Sequence, residues 1–106
     1  MSNLLFVCSK NQWRSPTAEL LFKNHPDHHA RSAGTSEKAR IKVNQKLIDW
    51  ADIIFVMEYK HKQLLTQRLA AAIAVKQMVV LAIEDNYTFN HPELIALLKD
   101  SLSGYL

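Results

Sequence analysis

L-L-F-V-C-S-K-N-Q-W-R-S-P-T-A-E, residues 4–19, is the stretch on which the fold turns. An apolar run over 3–7, of the kind that sits centrally in a parallel sheet, delivers Cys8 into a polar loop that ends at Arg14. Residues 15–19 then open a helix. Ser15 has the N-cap residue type, Pro16 suits the first helical position where a missing N–H costs nothing, and the acidic Glu19 follows in the first turn. The unpaired N–H groups of that helix therefore face the loop that holds Cys8.

A cysteine in that place is chemically unlike a core cysteine. The helix N-terminus carries partial positive charge and Arg14 a full one, and both favour thiolate over thiol. Cys8 is the expected nucleophile. The backbone N–H groups of Ser9, Lys10, Asn11, Gln12 and Trp13, with a planar guanidinium able to hold two oxygens at once, make a seat for a tetrahedral oxyanion. A cysteine and an arginine at C-x5-R spacing are common by chance. The strand signal before, the helix start after and Asn11 between them give the spacing its meaning.

V-C-S-K-N-Q-W-R-S-P-T-A-E resembles the phosphate loop of the low-molecular-weight protein tyrosine phosphatases, whose usual form is V-C-x-G-N-x-C-R-S-P-x-A-E. S-A-G-T at 32–35 is similar to a second family signature, and I-E-D-N-Y at 83–87 resembles the family's I-P-D-P-Y. The three matches fall in the family's order and span most of the chain. The chain is shorter than a usual member, with the shortening between Thr35 and Asp52. Two departures stand in the loop. Lys10 replaces a glycine and would carry strain in a glycine-like conformation; Trp13 replaces a second cysteine, removing a disulfide partner for the nucleophile. Oxidation of Cys8 would then stop at sulfenic acid or run onward unless a small thiol capped it.

The resemblance also implies roles. Asn11 and Ser15 would shape the loop, and Ser32 would join their hydrogen-bond network from behind. Ser15 would donate to the thiolate and ease its departure from phosphorus. Thiolate attack on a phosphate monoester needs a general acid at the leaving oxygen, worth about two to four orders of magnitude in rate. Glu84 and Asp85 are the carboxylates near the end of the last strand, and the resemblance aligns Asp85 with the family's aspartate. Tyr87, with Trp13 and Phe89 as further candidates, would wall a slot for an aromatic leaving group.

Along the rest of the chain, strands are expected at 28–33, 52–57 and 77–83, and helices at 16–24, 44–50, 58–72 and 92–102. Asn44 caps the second helix, His91 or Asn90 begins the last, and Lys60, His61, Lys62 and Gln63 face outward on the third. Residues 36–44, polar and basic, read as an exposed strand, a loop over the site or, the blander alternative, a solvated connection. Four apolar runs alternating with helices imply an α/β fold: a four-stranded parallel sheet with helices on both faces, right-handed crossovers and the phosphate loop between strand 1 and helix 1. In such sheets ligands bind beyond the carboxyl ends of the strands, where both the Cys8 loop and residues 84–89 lie.

Composition bounds the alternatives. The 106 residues, 48% hydrophobic, suit a single domain over the whole chain. A formal charge of +3 suits an anionic substrate, but the basic residues are scattered and no nucleic-acid partner is expected. The single cysteine excludes an intramolecular disulfide and a multi-cysteine zinc site, and the five histidines show no metal-ligand spacing, so no metal or other cofactor is expected. Neither a signal peptide nor a run long enough to span a bilayer is evident, so the expected home is the cytoplasm, without membrane attachment. The expected activity is hydrolysis of a phosphorylated protein or small aryl phosphate through a phosphocysteine, with phosphate as product. Competing readings are a phosphoryl-binding module with little turnover, arsenate reduction completed by an external thiol, and phosphate transfer like that of sugar-transport IIB subunits, which lack the arginine clamp.

Overall fold

A computed structural model describes residues 2–106. Strands β1 (Ser2–Cys8), β2 (His28–Gly34), β3 (Ile53–Val56) and β4 (Gln77–Val80) form one parallel sheet in the order β2-β1-β3-β4. Helices α1 (Arg14–Leu21) and α5 (Pro92–Leu102) cover one face; α2 (Gln45–Trp50), α3 (Tyr59–Arg68) and α4 (Ala70–Ile73) cover the other. The expected architecture is present.

Alternation along the central strand divides the core. Leu4, Phe6 and Cys8 join Phe55, Val79 and the buried stripe Leu94, Leu98 and Leu102 of α5. Leu5 and Val7 pack with Ile54, Val56, Leu47, Ile48 and Leu65 on the opposite face. Because both faces are apolar, β1 and β3 read as unbroken hydrophobic runs. No helix among the described residues is long and apolar enough to cross a membrane.

Several boundaries differ from expectation. α1 begins at Arg14 with Trp13 as N-cap, and no acidic residue lies in its first turn. Ser15 does not cap, because its hydroxyl is taken by Cys8, Asn11 and Ala33. Pro16 falls at the third helical position, still among the N–H groups with no partner inside the helix, so its ring costs little there. The single helix expected over 58–72 breaks at Leu69 into α3 and α4. β4 ends at Val80; Leu81 and Ile83 still donate to Val56 and Met57, but Ala82 between them has φ 58°, which turns the chain toward the site. Asn44 caps α2 by accepting from Leu47 N, and His91 caps α5 through its Nδ1.

Residues 36–44 are not merely a solvated connection. Ser36 N donates to Ser9 O, Arg40 N to Lys10 O, and Arg40 Nε to Asn11 O, so this segment braces the Cys8 loop from behind. Gly34 makes the approach close enough. A Cβ there would sit 2.4 Å from Ser9 O and 2.7 Å from Ala39 Cβ, and neither neighbour can swing aside. Gly34→Ala is therefore expected to destabilise the protein by roughly 1–3 kcal/mol in urea denaturation. Wild-type stability in that variant would show that residues 34–39 yield freely.

Candidate active site

The site forms where the carboxyl ends of β1, β3 and β4 meet the start of α1. Its centre is the Arg14 side chain, 1% exposed and the bulkiest fully buried residue of the core. A guanidinium cannot discard its charge, so burial demands partners. Nη1 donates to Glu58 Oε1, just beyond β3, and at 2.8 Å to the carbonyl of Ile83, beyond β4. Nε lies 3.5 Å from Asp85 Oδ1. Arg14 thus ties three segments to one point.

Cys8, 3% exposed, ends β1. Its Sγ is 2.9 Å from Ser15 Oγ, which also accepts from Asn11 Nδ2 at 2.8 Å and faces the Ala33 carbonyl at 3.3 Å. The hydroxyl has one proton to give. With a thiolate it donates to sulfur; with a neutral sulfur it turns to Ala33.

Cys8, Ser9, Lys10, Gln12, Trp13, Arg14 and Asp85 line one cavity of about 100 Å³. Asn11 lies buried beneath it, and Asn11, not Lys10, takes the left-handed backbone, with φ 56°. Asparagine tolerates that conformation better than most residues, so lysine in the glycine position carries no such strain. Trp13 stands 41% exposed at the rim. Tyr87 lines a different hollow with Leu81, Ala82, Ile83 and Leu97, and its ring lies 5.4 Å from that of His91. Phe89 borders a larger hollow of about 550 Å³ that meets the Cys8 cavity only at Gln12. Ser32 does not join the Asn11–Ser15 network; its hydroxyl donates to Glu19 Oε1 at 2.6 Å.

Two residues that the patterning does not single out complete the site. Glu58 is the N-cap of α3, and His61 is its third helical residue. They form a reciprocal capping box, in which the Glu58 carboxylate accepts from His61 N and the His61 Nδ1 accepts from Glu58 N at 3.0 Å. His61 is fully buried, not outward, and its Nε2 lies 2.9 Å from Ser9 Oγ.

Their protonation follows from these neighbours. Burial alone would raise the Glu58 carboxyl, but the hydrogen bond and charge of Arg14 outweigh it and hold the group below its ordinary value. Burial first, then the charge of Arg14, pushes His61 down to about 4, against the opposing pull of Glu58 and Asp85. The buried ring is neutral at pH 7.

Solved structures share this arrangement of chain. The YwlE arginine phosphatase from Geobacillus stearothermophilus superposes with a TM-score of 0.71 at 24% identity, covering 96% of this chain and 90% of that one. The tyrosine phosphatase Wzb from Escherichia coli K30, in complex with phosphate, gives 0.73 at 21% identity, covering 95% and 94%. Wzb from Vibrio vulnificus, in complex with benzylphosphonate, gives 0.77 at 21% identity, covering 98% and 96%. No family model matches the sequence, and no curated protein matches it. The fold is that of the low-molecular-weight protein tyrosine phosphatases, as the sequence resemblance implied.

The protonation of His61 gives a stability prediction. A histidine held down in the folded state leaves stability intact above its unfolded value, near pH 6.5, and drains it as pH falls toward 4, because only the unfolded chain takes up the proton. The full shift corresponds to about 3 kcal/mol. Glu58, also lowered, adds its loss only below its ordinary value of 4.5. Urea denaturation from pH 7 to pH 4 is expected to show the first decline, and His61→Gln to lose that slope while starting from lower stability. An equal slope in both proteins would mean that another group carries it.

Proposed function

We propose that this chain is a metal-independent cysteine phosphatase acting on phosphotyrosine or a related aryl phosphate through a phosphocysteine. The observation that carries this reading is that the cysteine sulfur, the buried guanidinium and a half-exposed carboxylate line one small cavity. Sulfur supplies an electron pair, the guanidinium fixes oxygens, and the carboxylate moves a proton.

In the first step the Cys8 thiolate attacks phosphorus and the bond to the leaving oxygen breaks. Asp85, as the acid, gives that oxygen its proton. Arg14 and the amides of residues 9–14 hold the equatorial oxygens as charge redistributes. In the second step Asp85, now a carboxylate, takes a proton from water. The water oxygen attacks phosphorus, the S–P bond breaks, and phosphate and thiolate are released. Ser15 serves both steps: its hydroxyl donates a hydrogen bond to sulfur when sulfur is anionic and can turn to Ala33 O when sulfur is esterified.

Glu58 acts at one remove. By pairing with Nη1 of Arg14 while Asp85 lies near Nε, it keeps the guanidinium buried and oriented before any substrate arrives. Trp13 at the cavity rim favours an aryl leaving group, which can lie against its exposed ring.

Hydrolysis of para-nitrophenyl phosphate with a chelator present tests the reading. Wild type is expected to turn over regardless of chelator, Cys8→Ser to lose turnover yet bind phosphate, and Asp85→Asn to lose about two to four orders of magnitude in kcat. Arg14→Ala is expected to lose both binding and turnover. Phosphate binding by freshly reduced wild type without product would favour a binding module instead. Phosphotyrosine and phosphoarginine peptides compared side by side then separate the two substrate classes that occur on this fold.

A further inference from the structure

We propose that His61 is a positioning residue that turns the Ser9 hydroxyl into an additional hydrogen-bond donor to the bound oxyanion; the inference rests on reading the Cys8 cavity as an oxyanion site. Three contacts carry it. Glu58 N meets His61 Nδ1 at 3.0 Å, and a backbone N–H can only donate, so Nδ1 is the accepting nitrogen. The proton of the neutral ring is therefore on Nε2. Nε2 lies 2.9 Å from Ser9 Oγ and donates to it.

The direction of that bond decides what Ser9 can do. A hydroxyl that accepts from histidine keeps its own proton for another partner, and Ser9 lines the cavity beside Cys8 and Arg14. Were the opposite tautomer present, Ser9 would spend its proton on the ring and turn a lone pair toward the anion. The capping box closes off that alternative, because it already needs Nδ1 as acceptor. Full burial of the ring keeps it from swinging away. The charged groups around it are Arg14 and Lys60, which oppose protonation, and Glu58 and Asp85, which favour it; burial and the cations prevail.

This function for the ring differs from proton transfer. His61 reaches the site only through Ser9, and it never needs to change protonation during the reaction. It sets which end of a hydroxyl dipole faces the phosphoryl group.

The test is the affinity for inorganic phosphate at pH 7, by calorimetry, in wild type, Ser9→Ala, His61→Asn and His61→Gln. A hydrogen bond to a charged group predicts that Ser9→Ala weakens binding roughly ten- to hundredfold. Asparagine can place its Oδ1 near the ring's Nδ1 and keep the cap, but it falls short of Ser9, so His61→Asn should lose a similar factor. The longer glutamine can bring its amide N–H to the Nε2 position, so His61→Gln should recover much of the loss. In the Ser9→Ala background, His61→Asn should cost little more.

Nitrogen-15 NMR of the His61 ring in the unaltered protein gives a second readout, which requires no variant to fold. The Nε2–H tautomer is expected; the Nδ1–H tautomer, or wild-type phosphate affinity in Ser9→Ala, would overturn the inference. Undetectable phosphate binding by freshly reduced wild type would overturn the oxyanion reading beneath it, and so the two failures are distinguishable.

Discussion

A guanidinium removed from water is the constraint to which the rest of this molecule answers. Arg14 cannot be neutralised by giving up a proton, and its burial is tolerable only while Glu58, the Ile83 carbonyl and Asp85 stay where they are. Glu58 follows the carboxyl end of β3, and Ile83 and Asp85 both follow the turn beyond β4. The sheet order β2-β1-β3-β4 brings those ends together, and Ala82, in its left-handed conformation, directs the segment after β4 to the same point. Fold and electrostatics are thus one problem: the strands converge on a charge that would be intolerable if they did not.

The loop between β1 and α1 has little freedom of its own. From beneath, Asn11 and Ser15 fix it to the helix; from behind, residues 34–40 hold its carbonyls; from the side, the α3 capping box reaches Arg14 and Ser9. The last of these is unusual in what it accomplishes. Capping groups normally satisfy only the free N–H groups of their own helix. Here both capping side chains have a second partner in or beside the Cys8 loop, Arg14 for Glu58 and Ser9 for His61, so the geometry of a helix end is passed directly to that loop.

Much of this was legible in the residues. Apolar runs with no polar alternation marked strands buried on two faces, the spacing of Leu94 and Leu98 marked α5, and Asn44 marked the start of α2. Cys8, Arg14 and Asp85 share a cavity because strand ends converge in a parallel sheet, a property of topology that order alone implies. Ser15 misled because its residue type suits an N-cap, while tertiary contacts claimed its hydroxyl. His61 misled because helical periodicity sorts side chains by face, and a residue in the first turn can fold back across the helix end. Glutamate and histidine are also outside the usual Ser/Thr with Glu/Gln pattern of a capping box. The available signal was positional: Glu58 lies near a strand's carboxyl end, as Cys8 does.

The double use of the α3 cap bears on how portable the Cys8 loop is. Residues 8–15 carry a thiol and a cation, and in isolation they look like a cassette that could be moved into another scaffold. Moved alone, the cassette would leave behind the counter-charge of Glu58, the histidine that orients Ser9 and the glycine that admits the bracing segment. The smallest unit that preserves these contacts is therefore the sheet with its three crossings and not one loop.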